Sequence, residues 1–238
     1  MLNLLKQLLP ERFKRQIKHS MGFQDMETRL RNLKRSGFKC SGAVDVGAYA
    51  GEWALQANDI FFCPVIMIEP QPNQRDKLLS LAKKLPFELE SIGLSKEQGI
   101  LKFFLQETNS RIAIDNELKN STLPTINVPV DRLDLMLKRH TSHCHNLLKI
   151  DVQGFELDVL MGAGASLSQF EVVILEVSII RIGPVPIFSE VLNFMASCGY
   201  RLYDFLPMYY RPLDGSLWQG DAFFVRNDSK LVENNRWN

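Results

Sequence analysis

The sequence lacks several things, and each absence removes a class of protein. No run of eighteen apolar residues occurs, so no membrane-spanning helix is expected. The N-terminus does not show a short basic head, an apolar core and a small-residue cleavage site in that order, so no secretory leader is expected. Neither sign of charge is in excess: 28 Lys and Arg stand against 27 Asp and Glu. A net charge of +1 gives no global field to draw the chain to nucleic acid, and no nucleic-acid partner is expected. Cysteine is scarce. Cys40, Cys63, Cys144 and Cys198 form no CxxC pair and read as reduced, buried core thiols, which points to a cytoplasmic protein. No internal repeat and no low-complexity segment interrupts the chain.

What is present is an alternation. From Ser41 onward, apolar runs of strand length alternate with amphipathic stretches of helix length. The runs include "AVDVGA", "PVIMIEP", "FELESIGL", "GILKFFLQ", "NLLKIDV", "EVVILEV", "YRLYDFL" and "GDAFFVRN". Helical stretches include "EWALQANDI", "NQRDKLLSLAKKL", "DRLDLMLKR", "GFELDVLMGA" and "IFSEVLNFMASC". This order predicts an α/β fold, a doubly wound and mostly parallel sheet covered on both faces. Pro207 to Gly220, rich in Tyr, Pro and Gly, reads as a loop. Residues 1–38 read as a helical N-terminal extension before a domain spanning 39–238, with a helix over Gln24–Arg35 stopped at Gly37. Within residues 2–20, Leu2, Leu5, Leu8, Leu9, Phe13 and Ile17 recur at helical spacing among basic residues. That segment has two readings: a helix capping the domain, or a peripheral membrane contact.

The turn "AVDVGAYAGEW" carries the first chemistry. In an open α/β sheet, ligands sit outside the carboxyl ends of the strands, where strand order reverses. Asp45 ends a buried strand there, free either to bond a ligand or to hold the amides of the turn. Gly47 lets a ligand lie against the backbone, and Gly51 opens the next helix. Glu69 ends the second strand, eighteen residues after Gly51, where an acid accepts the hydroxyls of a ribose. Only G-x-x-x-G is present, without the third glycine of a dinucleotide fingerprint. A ribose-bearing ligand without phosphate suits this better, and S-adenosylmethionine is the commonest. Ile92 and Gly93 close the third strand, where an adenine edge would lie. "LLKIDVQGFELDVLMGA" then repeats the opening logic, with Asp151 at the strand end and Glu176 approaching the same rim from "EVVILE". For Glu156, favourable placement near a helix dipole explains as much as function does.

The segments "VDVGAYAG", "MIEPQPNQRDKL", "SIGLSKEQGILKFF", "VPVDRLDLML", "LLKIDVQGFELDVLMGA" and "VVILEV" occur in the order seen in the FkbM-type methyltransferase family, which this chain resembles over about Val44 to Val177. The resemblance implies the class I methyltransferase fold, a Rossmann-like seven-stranded sheet. It also implies S-adenosylmethionine as cofactor and O-methylation of a hydroxyl on a sugar, another glycan acceptor or a small natural product. It puts Asp45, Gly47 and Gly51 on the glycine-turn motif, Glu69 on the ribose acid and Asp151 on the acid ending the fourth core strand; with Tyr49, Pro70, Ile92 and Gly93 these are the residues expected to hold the cofactor. Tyr49 and Gln153 depart from the family pattern, which usually has a small polar residue and an acid at those positions.

A hydroxyl must lose its proton as it attacks, which calls for a base. Asp151 is the first candidate and Glu176 the second, each needing burial to raise its basicity. The carboxylates are separated and form no compact metal-ligand set, so no metal is expected. His140, His143, Cys144 and His145 precede a core strand and belong at its N-terminal end, away from the crevice, as a structural loop. Tyr209, Tyr210 and Trp218 are available as an aromatic wall for an acceptor. Two rival readings are a nicotinamide-dependent oxidoreductase, disfavoured by the missing glycine, and a catalytically silent nucleoside-binding relative.

Overall fold

The computed structural model describes residues 25–233, apart from 107–108, 114–117, 119–120 and 184. Residues 2–20, which carry the membrane-contact reading, lie outside the described residues. In chain order the elements are α1 (Met26–Arg35), β1 (Ala43–Val46), α2 (Glu52–Phe61), β2 (Val65–Ile68), α3 (Arg75–Ala82) and β3 (Phe87–Glu90). Then come β4 (Gly93–Leu94), β5 (Gly99–Phe104), β6 (Arg111–Ile112), β7 (Thr125–Asp131), α4 (Leu133–Leu137) and β8 (Leu147–Ile150). The chain continues through α5 (Glu156–Ala163), β9 (Val172–Ser178), α6 (Phe188–Ser197), β10 (Tyr200–Tyr210) and β11 (Leu217–Arg226).

Seven strands form the main sheet in the order β10-β11-β9-β8-β1-β2-β3. All neighbours are parallel except β11, which runs antiparallel to both β9 and β10. The chain winds outward from β1 in both directions, so the switch point lies between β1 and β8. Strand residues alternate between two cores. Val44, Ile66, Leu148, Val173 and Phe224 pack with Leu133, Leu160 and Val191 from α4, α5 and α6. Ala43, Met67, Leu147, Ile174 and Phe223 pack with Leu30, Ala57 and Leu78 from α1, α2 and α3. Truncating one such fully buried chain, for example Ile66→Ala, costs about 2–5 kcal/mol.

The same period of two places Asp45, Lys149, Glu176 and Asp221 on the second of these faces, at the end of the sheet that the crevice opens onto. Helix α1 helps to close that face. Asp25 caps it by accepting from the Thr28 N–H at 3.0 Å, and Arg29 pairs with Asp204 at 2.7 Å. Residues on the extension side of position 38 therefore share a core with the sheet.

Three expectations are corrected. "FELESIGL" is not one strand. It breaks after Glu90, and Gly93–Leu94 pairs with β7 in a separate four-stranded sheet ordered β4-β7-β5-β6. A Cβ on Gly93 would meet the Val130 side chain at 3.0 Å, so this pairing is tight as well as long-range. Pro207 to Gly220 is not a loop: β10 runs to Tyr210 and β11 starts at Leu217, leaving a short turn between. Pro207 is tolerated because β10 is the sheet's edge and its ladder shifts register between Pro207 and Tyr209. The cysteines are free, but only Cys63 is buried; Cys40 is half-buried, and Cys144 and Cys198 are exposed. Among the described residues, no helix is long and apolar enough to cross a membrane.

Candidate active site

A cavity of about 780 Å³ opens at the carboxyl ends of β1, β2, β8 and β9. Asp45, Gly47, Tyr49, Glu69, Pro70, Ile92, Gly93, Asp151 and Glu176 all line it, so the expected residues converge. Gly51 does not. It caps α2 at φ +80°, and a Cβ there would strike Leu81 at 2.6 Å, so its place is set by packing against α3. Gly47 is also packed rather than open. Its φ is +83°, and a Cβ would lie 1.9 Å from the Asp151 carbonyl oxygen. The turns after β1 and β8 are pressed together there.

The amides of the first turn are held without Asp45. Gly47 and Ala48 donate to the Ile68 carbonyl, at 3.0 and 3.1 Å. Tyr49 donates to Glu69 Oε2 at 2.7 Å, and Gln71 donates to Glu69 Oε1 at 2.8 Å. Glu69 thus clasps the turn to the loop after β2, and each of its oxygens keeps a lone pair. Burial raises the Glu69 carboxyl above its usual value, partly offset by those amides. Asp45 is fully buried, and neither of its oxygens has a hydrogen-bond partner. Burial pushes it up to about 6, against the pull of Lys149. Of the two roles the sequence left open for Asp45, the Gly47, Ala48 and Tyr49 amides are held by other acceptors, while the nearby Ala54 amide of α2 draws on its carboxyl without making a full hydrogen bond. Trp53 Nε1 and Gln56 Oε1 on α2 also line the cavity, buried and without partners.

On the other side the carboxyls are tied by side chains. Lys149 Nζ donates to Asp151 Oδ2 at 2.9 Å. Gln153 Nε2 donates to Asp151 Oδ1 at 2.9 Å and to Glu176 Oε2 at 2.7 Å. The Asp151 side chain keeps 29% exposure while Lys149 keeps 9%. Burial alone would raise Asp151, but the Lys149 ammonium more than offsets it and holds the carboxyl below its usual range. Burial would likewise lower Lys149, but Asp151, Asp45 and Asp221 more than offset that and keep it charged. Glu176 is pushed up to about 9 by burial and by Asp151. Asp221, its partner across the β9–β11 ladder, is pushed up to about 7 by burial. Glu156 accepts from the Val152 and Gly154 amides at 3.2 and 3.0 Å, so it fastens the second turn.

Sequence reasoning missed Lys149. Its signal was a charged residue inside the buried run "LLKI", which demands an anion at its tip. The small second sheet, also missed, supplies an apolar wall through Phe103 and Ile112. Tyr209 and Trp218 do line the cavity, from β10 and β11, while Tyr210 is not among its lining residues. The histidine segment does not converge on one point. His140 bonds Glu88 and Glu90 on β3, with Nε2 to Glu90 Oε1 at 2.8 Å, whereas the His145 ring packs beside Gly42 before β1. Among the described residues, no three His, Cys, Asp or Glu side chains gather as a metal ion would need.

Comparison with known proteins gives the fold and the family. Among solved structures, the N-methyltransferase NodS from Bradyrhizobium japonicum, in complex with S-adenosylhomocysteine, is 10% identical. The match covers 86% of this chain and 87% of that one, with a TM-score of 0.50. The ribosomal protein L11 methylase from Lactobacillus delbrueckii subsp. bulgaricus is 12% identical, covering 85% and 79% with a TM-score of 0.49. At 10% identity the likeness to NodS shows the fold alone. None of the curated proteins compared matches the chain. The methyltransferase FkbM domain matches residues 45–202, from Asp45 in β1 into β10, and the chain belongs to that family.

Proposed function

We propose that the protein methylates a hydroxyl on a sugar or other small natural product, with Asp151 as the base. Methyl transfer from S-adenosylmethionine is the chemistry of the family, and the residues present fit that cofactor. Asp45, buried and unpartnered beside the first turn, suits the methionine ammonium. The spare lone pairs of Glu69 suit the ribose, and Ile92, Gly93 and Phe103 suit the adenine. When bound, the cofactor supplies an already activated methyl group on a sulfonium.

The chain then has to position and deprotonate. The observation that carries the proposal is Asp151, kept ionised by Lys149 at 2.9 Å yet open to the cavity where the two turns meet; against the sequence expectation its basicity is lowered and not raised, so it serves by position and not by strength. With that cofactor bound, an Asp151 oxygen would take the proton of the acceptor hydroxyl as the hydroxyl oxygen takes up the methyl group. Gln153 and Lys149 fix that carboxylate, so little reorganisation is needed during attack. Glu176 has a holding role, because near pH 7 its carboxyl carries a proton. Trp218 and Tyr209 flank the acceptor side.

The test begins with binding. S-adenosylhomocysteine should raise the melting temperature by mass action, and NADH should not. Glu69→Ala should weaken that binding by roughly 1–3 kcal/mol, the cost of losing charge-assisted hydrogen bonds. Stabilisation by NADH alone would reject the reading. Incubating extracts with a methyl-labelled donor should then reveal the acceptor.

A further inference from the structure

We propose that the acceptor carries a protonated amine beside the hydroxyl that is methylated, and that Glu176 and Asp221 hold this amine. The inference rests on the methyltransferase reading above and deepens it.

Glu176 and Asp221 are direct partners on antiparallel β9 and β11. Side chains so paired on one face lie about 5 Å apart at Cβ. Both line the cavity, and their residues are only 7% and 4% exposed. Their bonding is incomplete. One Glu176 oxygen accepts from Gln153, and no hydrogen bond reaches the Asp221 carboxyl among the described residues. The cation whose field reaches both is Lys149, and its Nζ is already bonded to Asp151. This face therefore holds Asp45, Asp151, Glu176 and Asp221 against one ammonium.

Burying like groups opposite one another is costly unless something arrives to pair them. A hydroxyl donates once and cannot serve both carboxyls. An anionic acceptor would be repelled. An ammonium has three donors, spans both carboxyls and rests well against aromatic faces. Trp218 and Tyr209 also line this cavity. The amine is an anchor and not the methylated atom, since a protonated amine has no lone pair to attack with.

The groups facing the pair are Lys149 and Asp151 from the β8 end and Glu156 from α5, with Asp45 alongside on β1. Burial, with repulsion from Asp151, raises both Glu176 and Asp221, and Asp221 adds to the rise of Glu176. An entering ammonium draws both back to carboxylates, so binding should expel protons and tighten from pH 6 to pH 8.

The test uses the full chain saturated with S-adenosylhomocysteine. The probes are 6-amino-6-deoxyglucose, glucose and glucuronate, which differ only at one carbon. Calorimetry in two buffers of different ionisation heat reads affinity and proton release together. The amine should bind at least about tenfold tighter than glucose, as a charged hydrogen-bonded pair predicts, and should release protons. Glu176→Gln and Asp221→Asn should each erase that preference while S-adenosylhomocysteine binding stays intact, which also reports a folded variant. Equal affinity for the three sugars, no binding by any of them, or a preference that survives both substitutions would overturn the inference. So would a proton release by S-adenosylmethionine that exceeds that of S-adenosylhomocysteine by as much as the amine releases, because the carboxyls would then serve the donor's sulfonium. Failure of S-adenosylhomocysteine itself to bind would instead strike the methyltransferase reading.

Discussion

After β1 the chain turns through Gly47 to Gly51; after β8 it turns through Val152 to Gly154. Each turn holds one residue other than glycine at positive φ, Tyr49 at 43° and Gln153 at 55°. Such a backbone costs roughly 1–3 kcal/mol and persists where the surroundings enforce it. The enforcement differs. At Tyr49 a carboxylate grips the backbone amide, so Glu69 fixes the turn's shape. At Gln153 the side chain itself bridges two carboxyls, so the turn fixes the position of charge. One half of the crevice is defined by backbone geometry and the other by electrostatics. The first should be intolerant of added atoms, and the second should answer to pH.

The largest expected effect breaks the contact between the halves. Gly47→Val would drive a side chain into the Asp151 carbonyl and force a β-branched residue to φ +83°. A loss of at least about 3 kcal/mol is expected in urea denaturation. Gly154→Ala should cost less, about 1–3 kcal/mol, because the Cβ would meet the end of the Val185 side chain, at 2.6 Å. Equal losses would mean that the two turns are not interlocked.

Next in size is chemistry in the electrostatic half. Asp151→Asn keeps the shape and removes the proton acceptor. Turnover on the labelled-donor assay should fall about 10²–10⁴-fold, while calorimetric affinity for S-adenosylhomocysteine barely changes. A lost cofactor affinity would move Asp151 into the geometric half.

The pH response is smaller and has a definite sign. Glu176 titrates near 9 in the fold, above its ordinary 4.5. A raised acid favours the folded state most at low pH, and that contribution is lost as pH rises through the folded value. Without ligand, melting temperature should therefore decline between pH 7 and pH 9, and Glu176→Gln should flatten the decline. Asp45→Asn should leave that window unchanged, because Asp45 titrates near 6. Asp151, held low, acts in the opposite direction and only in acid.

The smallest effect refines the comparison. Tyr49→Asn places a residue that tolerates the left-handed region at φ +43°, which should stabilise the fold by up to about 1 kcal/mol. Thermal melts would read it. A destabilised variant would mean that the phenol packs usefully against the cavity.

The geometric half was legible in the sequence because each of its parts is local. Asp45, Gly47 and Glu69 sit at strand ends beside turn residues, and spacing alone places them. The electrostatic half was legible only in part. Asp151 and Glu176 end apolar runs and stood out. Lys149 reads as an interruption of a strand until the acids around it, drawn from β1, β8 and β11, are brought together by pairing. The second sheet escaped because "FELESIGL" is continuous in pattern, and only Val130, far along the chain, ends its membership of the main sheet. The β10–β11 hairpin escaped because its Pro, Gly and Tyr residues have turn composition, while an edge strand tolerates them.

That hairpin has a consequence for how the protein can change. Its tip lies at the rim of the sheet, with Leu213 and Tyr210 largely in solvent, while Tyr209 and Trp218 just below it line the cavity. A new tip sequence would reshape the wall presented to the acceptor without touching the strands that cradle the donor. If the acceptor lies against this wall as proposed, that part of its recognition sits on a segment separate from the donor's strands. Transplanting residues 207–218 between members of the family should then change acceptor preference while leaving S-adenosylhomocysteine affinity intact.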